Sequence, residues 1–299
     1  MIVCVAPNPA VDRFFVAERV EPGRIHRPLA QTQVPGGKGL NVARAAAALG
    51  ADVHVVALLG GHAGRWIADG LAREEIALTA VWTAAETRSC LSVADGSAGT
   101  LTEFYEAAEP VERDTWREFV RNVREQAPRG SWATFSGSLP AAGDFSELIA
   151  GSRAALDSRS GGLAAGAALV KLNEDEATQL TGVAEPLAAA RALREQTGGR
   201  GHASVVTLGG DGAVMVAPDG SSWRGRVDAF GPYPVGSGDA FLAGMVVALE
   251  RRGDDWQDAL RLGLAAGAAN AETAGAGRLD RERAEALVRK ALVSAVDRP

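Results

Sequence analysis

The feature that most constrains how this chain can fold is a repeated alternation of short apolar runs with segments of helical period. Near the start, "IVCVAP" and "VHVVALLG" have the continuous apolar character of buried strands, and "KGLNVARAAAALG" between them has the composition of a helix. Parallel strands need a crossover of this kind to join them. The alternation therefore predicts an α/β fold with a central, mostly parallel sheet and helices on both of its faces.

The same pattern continues through most of the remaining sequence. Helices are predicted over "RWIADGLAREE" and "VERDTWREFVRNVREQ", and strands over "ALTAVW" and "SWATFS". The run "ASVVTLGGDGAVMVAPDGSSWRGRV" predicts successive strands joined by tight glycine turns, and three helices are expected at about 236–251, 255–273 and 280–296. The sequence contains no repeat of fixed period, which excludes solenoids and propellers.

Two stretches, residues 10–34 and 87–107, depart from the alternation. Each has short strand-like runs with turns, and neither has a helix that could connect parallel strands. We predict that they form a small separate sheet beside the α/β core, and that this sheet serves as a lid. No Pro- or Ser-rich linker divides the sequence, so residues 1–299 are expected to form a single domain that carries this lid.

Composition excludes several classes of protein. With 299 residues, 46% hydrophobic and 23% charged, the chain is long enough to bury a large core. Its formal net charge of -6 argues against nucleic acid as a partner, because nucleic-acid-binding proteins neutralise phosphates with a basic surface. The two cysteines lack metal-ligand spacing, and the sequence shows neither a signal segment nor an apolar run long enough to span a membrane. We therefore expect a cytoplasmic protein with reduced thiols and small-molecule partners.

A glycine-rich segment at 34–50, "VPGGKGLNVARAAAALG", places Gly36, Gly37 and Lys38 just before a predicted helix. Backbone N–H groups in such a position can bind an anion. The spacing fits neither the P-loop nor the dinucleotide fingerprint, because Lys38 is followed by Gly39 and position 42 is a valine. Only three of the 31 basic residues are lysines, which favours a specific use of this ammonium group. The alternative is that the glycines only allow a strand and a helix to pack closely.

A second segment of this kind is "VGSGDAFLAG", which sets Gly236 and Gly238 before a predicted helix and Asp239 in its first turn. Free N–H groups there can hold the charge of a transferring phosphoryl group, while the carboxylate accepts a proton from the attacking hydroxyl. The alternative is an ordinary helix start, with the carboxylate placed favourably against the helix dipole.

A third segment, "KLNEDE", places Asn173 and Glu176 at a strand end and helix start, three residues apart. An amide and a carboxylate at this spacing can hold a hydrated Mg²⁺ ion. Capping of the helix by the same two side chains is the alternative.

Taken together and in this order, these segments resemble the PfkB (ribokinase-like) family of sugar kinases over about residues 2–295. "PGGKGLNVARAAAALGADV" is similar to the family's first signature and "VGSGDAFLAGMVVAL" to its second, while "KLNEDE" and "TLGGDG" resemble its N-x-x-E and S/T-L-G-x-x-G stretches. The resemblance implies a ribokinase-like fold and a kinase that uses ATP and Mg²⁺. It also implies Asp239 as general base, with an anion hole at Gly236, Ser237 and Gly238. The cofactor residues that it implies are Lys171, Asn173, Thr207, Gly209, Gly212 and Gly238 for the nucleotide, and Glu176 with Asn173 for the metal.

Within this family, "APNPAVD", "GRIHR", "TRSC" and "GSLP" resemble segments of the hexose-phosphate branch, which includes 1-phosphofructokinase and tagatose-6-phosphate kinase. The resemblance implies that Asp12 binds the sugar hydroxyls. It makes Arg27, Arg88 and Lys38 candidates for binding the phosphate already on the substrate. The full set of substrate residues that it implies is Asp12, Arg27, Gly36, Gly37, Lys38, Asn41, Arg88 and Ser138.

The implied reaction is the ATP-dependent phosphorylation of a phosphorylated ketohexose to the bisphosphate. Fructose 1-phosphate is the first candidate, and fructose 6-phosphate or tagatose 6-phosphate is the next. Two alternatives stay open: a kinase of an unphosphorylated sugar or nucleoside, and a sugar-phosphate-binding relative without catalysis. Exposed strands of a lid also favour pairing between two copies of the chain, so a homodimer formed through the lid is expected.

The sequence departs from the family pattern at four positions. Cys90 and Tyr105 stand in the predicted lid where the branch has Asn, so they bear on the identity of the acceptor. Leu172 and Tyr233 replace family residues on the nucleotide side. The stretch at 140–157 is also short, with about 16 residues for a helix, a turn and a strand, which predicts that one of these elements is truncated.

Overall fold

Two sheets define the architecture of the molecule, a computed structural model that describes residues 1–141, 143–149, 151–158, 166–229 and 231–296. In chain order the strands are β1 (Ile2–Ala6), β2 (Ala10–Ala17), β3 (Ala30–Gly36), β4 (Val53–Gly60), β5 (Ala77–Thr83), β6 (Ser89–Asp95), β7 (Thr100–Tyr105), β8 (Trp132–Ser136), β9 (Arg153–Asp157), β10 (Leu169–Asn173), β11 (Ala203–Thr207), β12 (Ala213–Val216), β13 (Ser222–Arg226) and β14 (Leu292–Ala295). Ten form a large sheet in the order β14-β13-β12-β11-β10-β9-β8-β1-β4-β5. Its pairings are parallel from β5 to β11 and antiparallel from β11 to β14.

Helices cover both faces of the large sheet. In chain order they are α1 (Lys38–Ala48), α2 (Gly61–Arg73), α3 (Arg113–Gln126), α4 (Phe145–Ile149), α5 (Glu174–Thr181), α6 (Pro186–Thr197), α7 (Ser237–Arg252), α8 (Trp256–Ala271) and α9 (Arg281–Val288). Alternate residues of β1 point to opposite faces: Ile2 and Cys4 join an apolar cluster with α1, α7 and α8, whereas Val3 and Val5 join one with α3 and α6. The predicted α/β architecture, with a mostly parallel sheet between two helical layers, is confirmed. None of the described helices is both long and apolar enough to cross a bilayer.

The small sheet lies where the two departures from the alternation predicted it, and it has the strand order β3-β2-β6-β7. Its central strands β2 and β6 come from the two separate stretches and pair in parallel, with Asp12 opposite Cys90. Cys90 is in turn opposite Tyr105 on β7. These three side chains therefore form a row on one face of the small sheet. The predicted separate sheet is confirmed, while its action as a lid stays a prediction.

A single residue joins the small sheet to the helical layer. β3 ends at Gly36 and α1 begins at Lys38. Gly37 between them has a φ of 94°, in the left-handed region that favours glycine. The glycines of this segment therefore serve a sharp strand-to-helix connection that directs Lys38 into the start of α1.

The C-terminal helix is shorter than the sequence pattern indicates. The helix expected at 280–296 ends at Val288, and residues Leu292–Ala295 form β14, so the prediction is wrong over its second half. β14 pairs antiparallel with β13, with Leu292 opposite Arg226. This pairing satisfies backbone N–H and C=O groups that β13 would otherwise leave open at the sheet edge. Pairing within the sheet therefore overrides the helical composition of this segment.

The short stretch at 140–157 contains a truncated helix, as the sequence predicted. α4 has five residues, and β9 begins four residues after it ends. Positions 142 and 150 of this stretch lie outside the described residues. Phe145 and Leu148 are almost fully buried, so a little more than one helical turn covers this part of the sheet.

Candidate active site

Most of the predicted catalytic and nucleotide residues line one cleft at the carboxyl ends of the central strands. Side chains at or near the ends of β9, β10 and β11 form one part of its wall, and the first turns of α1 and α7 form another. Open α/β sheets bind their ligands at this edge. The cleft has a volume of about 470 Å³. The predicted residues in its wall are Lys38, Lys171, Asn173, Glu176, Thr207, Gly209, Gly212, Gly236, Ser237, Gly238 and Asp239.

Asp157 is the centre of a buried ion cluster in this wall. Its Oδ1 accepts a hydrogen bond from Lys38 Nζ at 2.9 Å, and its Oδ2 accepts one from Lys171 Nζ at 2.8 Å. Burial opposes the charged form of Asp157, but the two ammonium groups outweigh burial and lower the pKa of Asp157 below its ordinary value. Two positive charges are thereby fixed in the wall of the cleft.

Asp239 lies in the first turn of α7 and is 5% exposed. Asn41 Nδ2 donates a hydrogen bond to Asp239 Oδ2 at 2.8 Å. Burial and the negative charge of Asp157 raise the pKa of Asp239 to about 6, against the opposing effect of Lys38 and Lys171. A carboxylate of this kind is ionised at neutral pH and basic enough to accept a proton from a reacting hydroxyl.

The N-terminal end of α7 directs backbone N–H groups into the cleft. Gly236 precedes the helix with a φ of 83°, and no side chain caps the helix. A Cβ atom at Gly236 would lie 2.7 Å from the backbone of the loop after α8, so only glycine fits. The N–H of Ser237 donates to the Pro234 carbonyl at 3.1 Å, whereas those of Gly238 and Asp239 have no acceptor among the described residues. The N–H of Gly236 likewise has no acceptor among the described residues, so within the expected set at 236–238 only the N–H of Ser237 is engaged.

Asn173 and Glu176 form a capping box at the start of α5. Asn173 Oδ1 accepts a hydrogen bond from the N–H of Glu176 at 2.8 Å, and Glu176 Oε2 accepts one from the N–H of Asn173 at 3.0 Å. Helix capping by this pair, the alternative from the sequence, is therefore present. Glu176 Oε1 also lies 3.7 Å from Lys38 Nζ. Within the described part of the chain, no group of three or more His, Cys, Asp or Glu side chains could cage a metal. The donors suit a hydrated Mg²⁺ that keeps most of its waters.

The cleft also has an apolar wall that the sequence patterns did not indicate. Thr207, Gly209 and Gly212, which were predicted, lie in or just after β11. The unpredicted members of the wall include Val227, Ala229, Phe241, Leu264, Ala268 and Ala271. A wall of this kind suits the flat face of a nucleotide base. Nothing in the sequence distinguishes these residues from ordinary core positions, because apolar residues are commonly buried.

The substrate residues predicted near the lid form a second group around Asp12. The N–H of Gly37 donates to Asp12 Oδ2 at 3.3 Å, and a Cβ atom at Gly36 would overlap the Asp12 carboxylate. Burial raises the pKa of Asp12, although the hydrogen bond from Gly37 and the charge of Arg88 both lower it. The glycines before Lys38 thus allow a carboxylate of the small sheet to approach the backbone closely.

The segment after β1 connects Arg88 and Ser138, which belong to the same group. Arg88 Nη2 donates to the Asn8 carbonyl at 3.4 Å, and Asn8 Nδ2 donates to Ser138 Oγ at 2.7 Å. Arg27, by contrast, is exposed between β2 and β3 and makes no hydrogen bond or ion pair with any other described residue. The structure therefore brings Asp12, Arg88 and Ser138 together but leaves Arg27 apart.

Two residues of the small sheet that depart from the family pattern, Cys90 and Tyr105, stand in the row beside Asp12. Cys90 is buried, and Arg88 Nη1 donates to its Sγ at 3.4 Å. Burial raises the pKa of Cys90 to about 11, so that its side chain is a neutral thiol at physiological pH. Tyr105 is exposed, and its hydroxyl donates to Glu103 Oε1 at 2.6 Å. A thiol and a phenol thus stand next to the carboxylate where the family pattern has amides.

Asp157 is the main site residue that sequence reasoning missed. It ends β9 directly after the apolar residues "AAL", where a carboxylate at the carboxyl end of a strand could have been recognised. Asn8, which links Arg88 to Ser138, was missed as well. It stands in the quoted segment "APNPAVD", between two prolines that place it in a loop.

Together, the fold and the cleft define the class of protein: an α/β enzyme that can hold phosphates beside a buried carboxylate, as phosphotransferases require. The family comparison leads to the same class. Residues 3–146 and 150–283 match the pfkB family of carbohydrate kinases, and the chain belongs to that family. The predicted family and class of enzyme are confirmed.

Related enzymes and a solved structure match most of the chain. It is 34% identical over 283 residues to a 1-phosphofructokinase of Haloferax volcanii, and the matched residues cover 88% of each chain. It is 29% identical over 300 residues to the ATP-dependent 6-phosphofructokinase isozyme 2 of Mycobacterium tuberculosis, which covers 95% of this chain and 88% of that one. The solved tetrameric inhibited form of phosphofructokinase-2 from Escherichia coli matches with a TM-score of 0.84 and 25% identity, over 96% of this chain and 98% of that one. The predicted ribokinase-like fold therefore has solved counterparts over nearly its full length.

Proposed function

We propose that this protein transfers the terminal phosphoryl group of ATP to a hydroxyl of a phosphorylated ketohexose. Fructose 1-phosphate is the first candidate acceptor, and fructose 6-phosphate or tagatose 6-phosphate is the next. Family membership and the names of the relatives support a hexose phosphate as the acceptor. The observation that carries the proposal is the buried Asp239 carboxylate beside the open N–H groups at the start of α7. A base and an anion hole then lie within one helical turn.

In the proposed reaction, Asp239 accepts the proton of the sugar hydroxyl while that oxygen attacks the terminal phosphorus in line and the bond to ADP breaks. The N–H groups of Gly238 and Asp239 hold the charge of the transferring group, and the ammonium groups of Lys38 and Lys171 stabilise the phosphates from the wall of the cleft. When bound, Mg²⁺ neutralises nucleotide phosphate charge, and Asn173 and Glu176 would hold it through its waters. The apolar wall receives the base of the nucleotide.

The acceptor lies between this cleft and the small sheet in our proposal. Asp12 binds its hydroxyls, and Lys38 and Arg88 bind its phosphate. Lys38 keeps 38% of its side chain exposed although it pairs with Asp157, so it can also contact a ligand. Closure of the small sheet over the cleft brings Arg27 towards the acceptor and excludes water, which would otherwise compete for the phosphoryl group.

The test is a coupled assay of ADP release with MgATP and a panel of acceptors: fructose 1-phosphate, fructose 6-phosphate, tagatose 6-phosphate, ribose and adenosine. We expect release of ADP only with the sugar phosphates, fastest with fructose 1-phosphate. Asp239→Ala should abolish turnover and leave binding of the sugar phosphate, measured by calorimetry, largely intact. Turnover in Asp239→Ala near that of the wild type would remove Asp239 as the base. Binding without turnover across the whole panel would favour a non-catalytic relative.

One observation favours a second candidate, a kinase of an unphosphorylated sugar or nucleoside. The guanidinium of Arg88 already donates to Cys90 Sγ and to the carbonyls of Asn8 and Glu106, which is the pattern of a structural arginine. Arg88→Leu separates the two candidates. A large rise in the KM of the acceptor is expected if Arg88 binds its phosphate, and little change is expected for an unphosphorylated acceptor.

We also propose that two copies associate through the small sheet. Apolar side chains of the sheet and of the segment between β2 and β3 are exposed, among them Ile25 at 89%, Leu29 at 72% and Phe104 at 61%. A related phosphofructokinase-2 is described as tetrameric, so a larger assembly built from such pairs is compatible with the proposal. The cytoplasm stays the proposed location, because both cysteines are free thiols, as a reducing compartment keeps them.

A further inference from the structure

Arg44 is a buried residue of α1, 7% exposed, that the proposed reaction does not use. Its Nε donates to Glu74 Oε2 at 3.0 Å, its Nη2 to the Pro35 carbonyl at 2.7 Å, and its Nη1 to the Ala276 carbonyl at 3.1 Å and to Asn41 Oδ1 at 3.4 Å. One guanidinium thus ties α1 to β3, to the end of α2 and to the loop after α8. It is also connected to Asp239 through Asn41.

The contact with Arg44 fixes which way the Asn41 amide points. A guanidinium can only donate hydrogen bonds, so the atom of Asn41 that faces it must be the oxygen. The amide nitrogen is then turned towards Asp239, to which it donates at 2.8 Å. With the amide reversed, its oxygen would face the Asp239 carboxylate, a contact that is repulsive unless that carboxylate is protonated.

We propose that Arg44 is a positioning residue for the base: it locks the Asn41 amide as a hydrogen-bond donor and so keeps the Asp239 carboxylate ionised and ready to accept a proton. This inference rests on the proposed role of Asp239. Arg44 itself does not line the cleft and does not touch the reacting atoms. It acts only through Asn41.

Other charges act on the same residues, and the test has to separate them. Asp157 on β9 opposes the ionisation of Asp239, while Lys38 on α1 and Lys171 on β10 favour it. The charge of Arg44 also acts on Asp12, which lies on β2. A direct effect of the Arg44 charge would persist when the Asn41 amide is removed, whereas an effect through amide orientation would not.

The test follows the protonation of Asp239 by carbon-13 NMR of its side-chain carboxyl group in the full-length protein, with Asp239→Asn used for assignment. The variants are Arg44→Met and Arg44→Lys; the second keeps the charge and a group that can only donate hydrogen bonds, and it is the milder change for folding. We expect the midpoint near pH 6 in the wild type to rise by roughly one pH unit in Arg44→Met, a tenfold weaker ionisation, and by less in Arg44→Lys. Where turnover is measurable, the acid limb of kcat/KM should move by the same amount.

Two controls separate positioning from a general structural effect. Glu74→Gln removes the ion pair of Arg44 but leaves its contact with Asn41, so the titration of Asp239 should stay at the wild-type midpoint. In an Asn41→Leu background, where the donor is already absent, adding Arg44→Met should move the midpoint little further, because coupled residues act non-additively.

The inference is overturned if Arg44→Met leaves the midpoint of Asp239 unchanged, if Arg44→Met shifts it as far in the Asn41→Leu background, or if Glu74→Gln moves it as far. The titration does not depend on turnover. Absence of ADP release across the acceptor panel would therefore refute the proposed function, whereas an unmoved midpoint in an active Arg44→Met enzyme would refute only the role of Arg44.

Discussion

Two buried carboxylates in the cleft, Asp157 and Asp239, show how single contacts set the charge of a residue. Asp157 touches two ammonium groups directly, and its pKa falls below the ordinary value although burial acts the other way. Burial and the negative charge of Asp157 raise the pKa of Asp239 to about 6, although the hydrogen bond from the neutral amide of Asn41 lowers it. Asp157 is thus a permanent negative charge, and Asp239 is the carboxylate that can gain and lose a proton near neutral pH.

Replacing Asp239 by Asn should make the folded protein more stable at pH 8. Because the pKa of Asp239 is raised to about 6, the folded state binds this proton more tightly than the unfolded chain does. The wild type therefore loses stability relative to the variant as pH rises from about 4 through about 6. A rise in the pKa of Asp239 from 3.8 to about 6 corresponds to about 3 kcal/mol in the free energy of unfolding. Urea unfolding of the wild type and of Asp239→Asn at pH 4 and pH 8 measures this difference in the free energy of unfolding. The prediction would be contradicted if the variant were stabilised as much at pH 4 as at pH 8.

The two lysines that bind Asp157 should differ in their effect on stability. The side chain of Lys171 is 4% exposed, so Lys171→Met leaves the buried carboxylate of Asp157 with one partner fewer. This variant should lower the free energy of unfolding by about 3 kcal/mol. Lys38 is 38% exposed, so Lys38→Met should cost less than about 1 kcal/mol and act mainly on turnover. Guanidinium unfolding with parallel ADP-release assays distinguishes the two; equal losses of stability would show that exposure does not decide the cost.

Single residues with unusual chemistry were predictable from the sequence, but their partners were not. Asp239 and Lys38 stood out because a carboxylate or a rare lysine accompanied glycines at a helix start, and Glu176 stood out because it follows Asn173 by three residues at a strand end. Asp157 lies 119 positions from Lys38, and Asn41 lies 198 positions from Asp239. Contacts over such separations depend on the order of the strands in the sheet, which local patterns do not determine.

At the scale of elements, α7 has a glycine at each end, and the two provide a matched pair. Gly236 and Gly253 have φ values of 83° and 70°, so alanine is strained at both. A Cβ atom at Gly253 would meet nothing within 4 Å, whereas at Gly236 it would collide with the loop after α8. We expect Gly253→Ala, at a φ of 70° and a ψ of -148°, to cost roughly 1–3 kcal/mol of stability with normal kinetics. Gly236→Ala should also weaken ATP binding severely.

Thermal unfolding and calorimetric titration with ATP measure both variants of α7. If Gly236→Ala bound ATP as tightly as Gly253→Ala does, the start of α7 would not be the phosphate site. Both variants place alanine at a positive φ, and only Gly236→Ala also brings a Cβ atom against the loop after α8.

The type of most elements followed from their period, and the error at 280–296 has a physical reason. Ala and Leu are common at the C-terminal end of α9 and in β14, and both favour helix locally. The edge of β13 offers unpaired backbone groups to this segment, which a sequence pattern does not reveal. α4 shows the opposite case, because the number of residues available between β8 and β9 already limited its length.

At the scale of the whole molecule, association through the small sheet predicts the effect of one surface change. Strand alternation puts Phe104 on the opposite face from the row of Asp12, Cys90 and Tyr105. Phe104→Ser should therefore convert a dimer to a monomer without altering the site side of the sheet. Size-exclusion chromatography with light scattering measures the mass. Trp82→Ser, which removes an exposed aromatic residue from β5 in the large sheet, is the control and should keep the mass of the wild type.

An unchanged mass for Phe104→Ser, or a monomeric wild type, would contradict association through this sheet. Loss of the dimer in both variants would point to a different surface. The sequence predicted the sheet but not its strand order, because β2 and β6 are joined by pairing between stretches that lie far apart in the chain.

The one-residue connection at Gly37 has a consequence for how the two substrates are bound. The small sheet carries Asp12 and the helix α1 carries Lys38 and Asn41, so we expect any movement of the sheet on binding of the acceptor to reach the helix that contacts Asp239. Binding of the acceptor and binding of the nucleotide are then expected to be coupled. Thermodynamic reciprocity then requires that any factor by which the sugar phosphate tightens ATP binding is also the factor by which ATP tightens binding of the sugar phosphate.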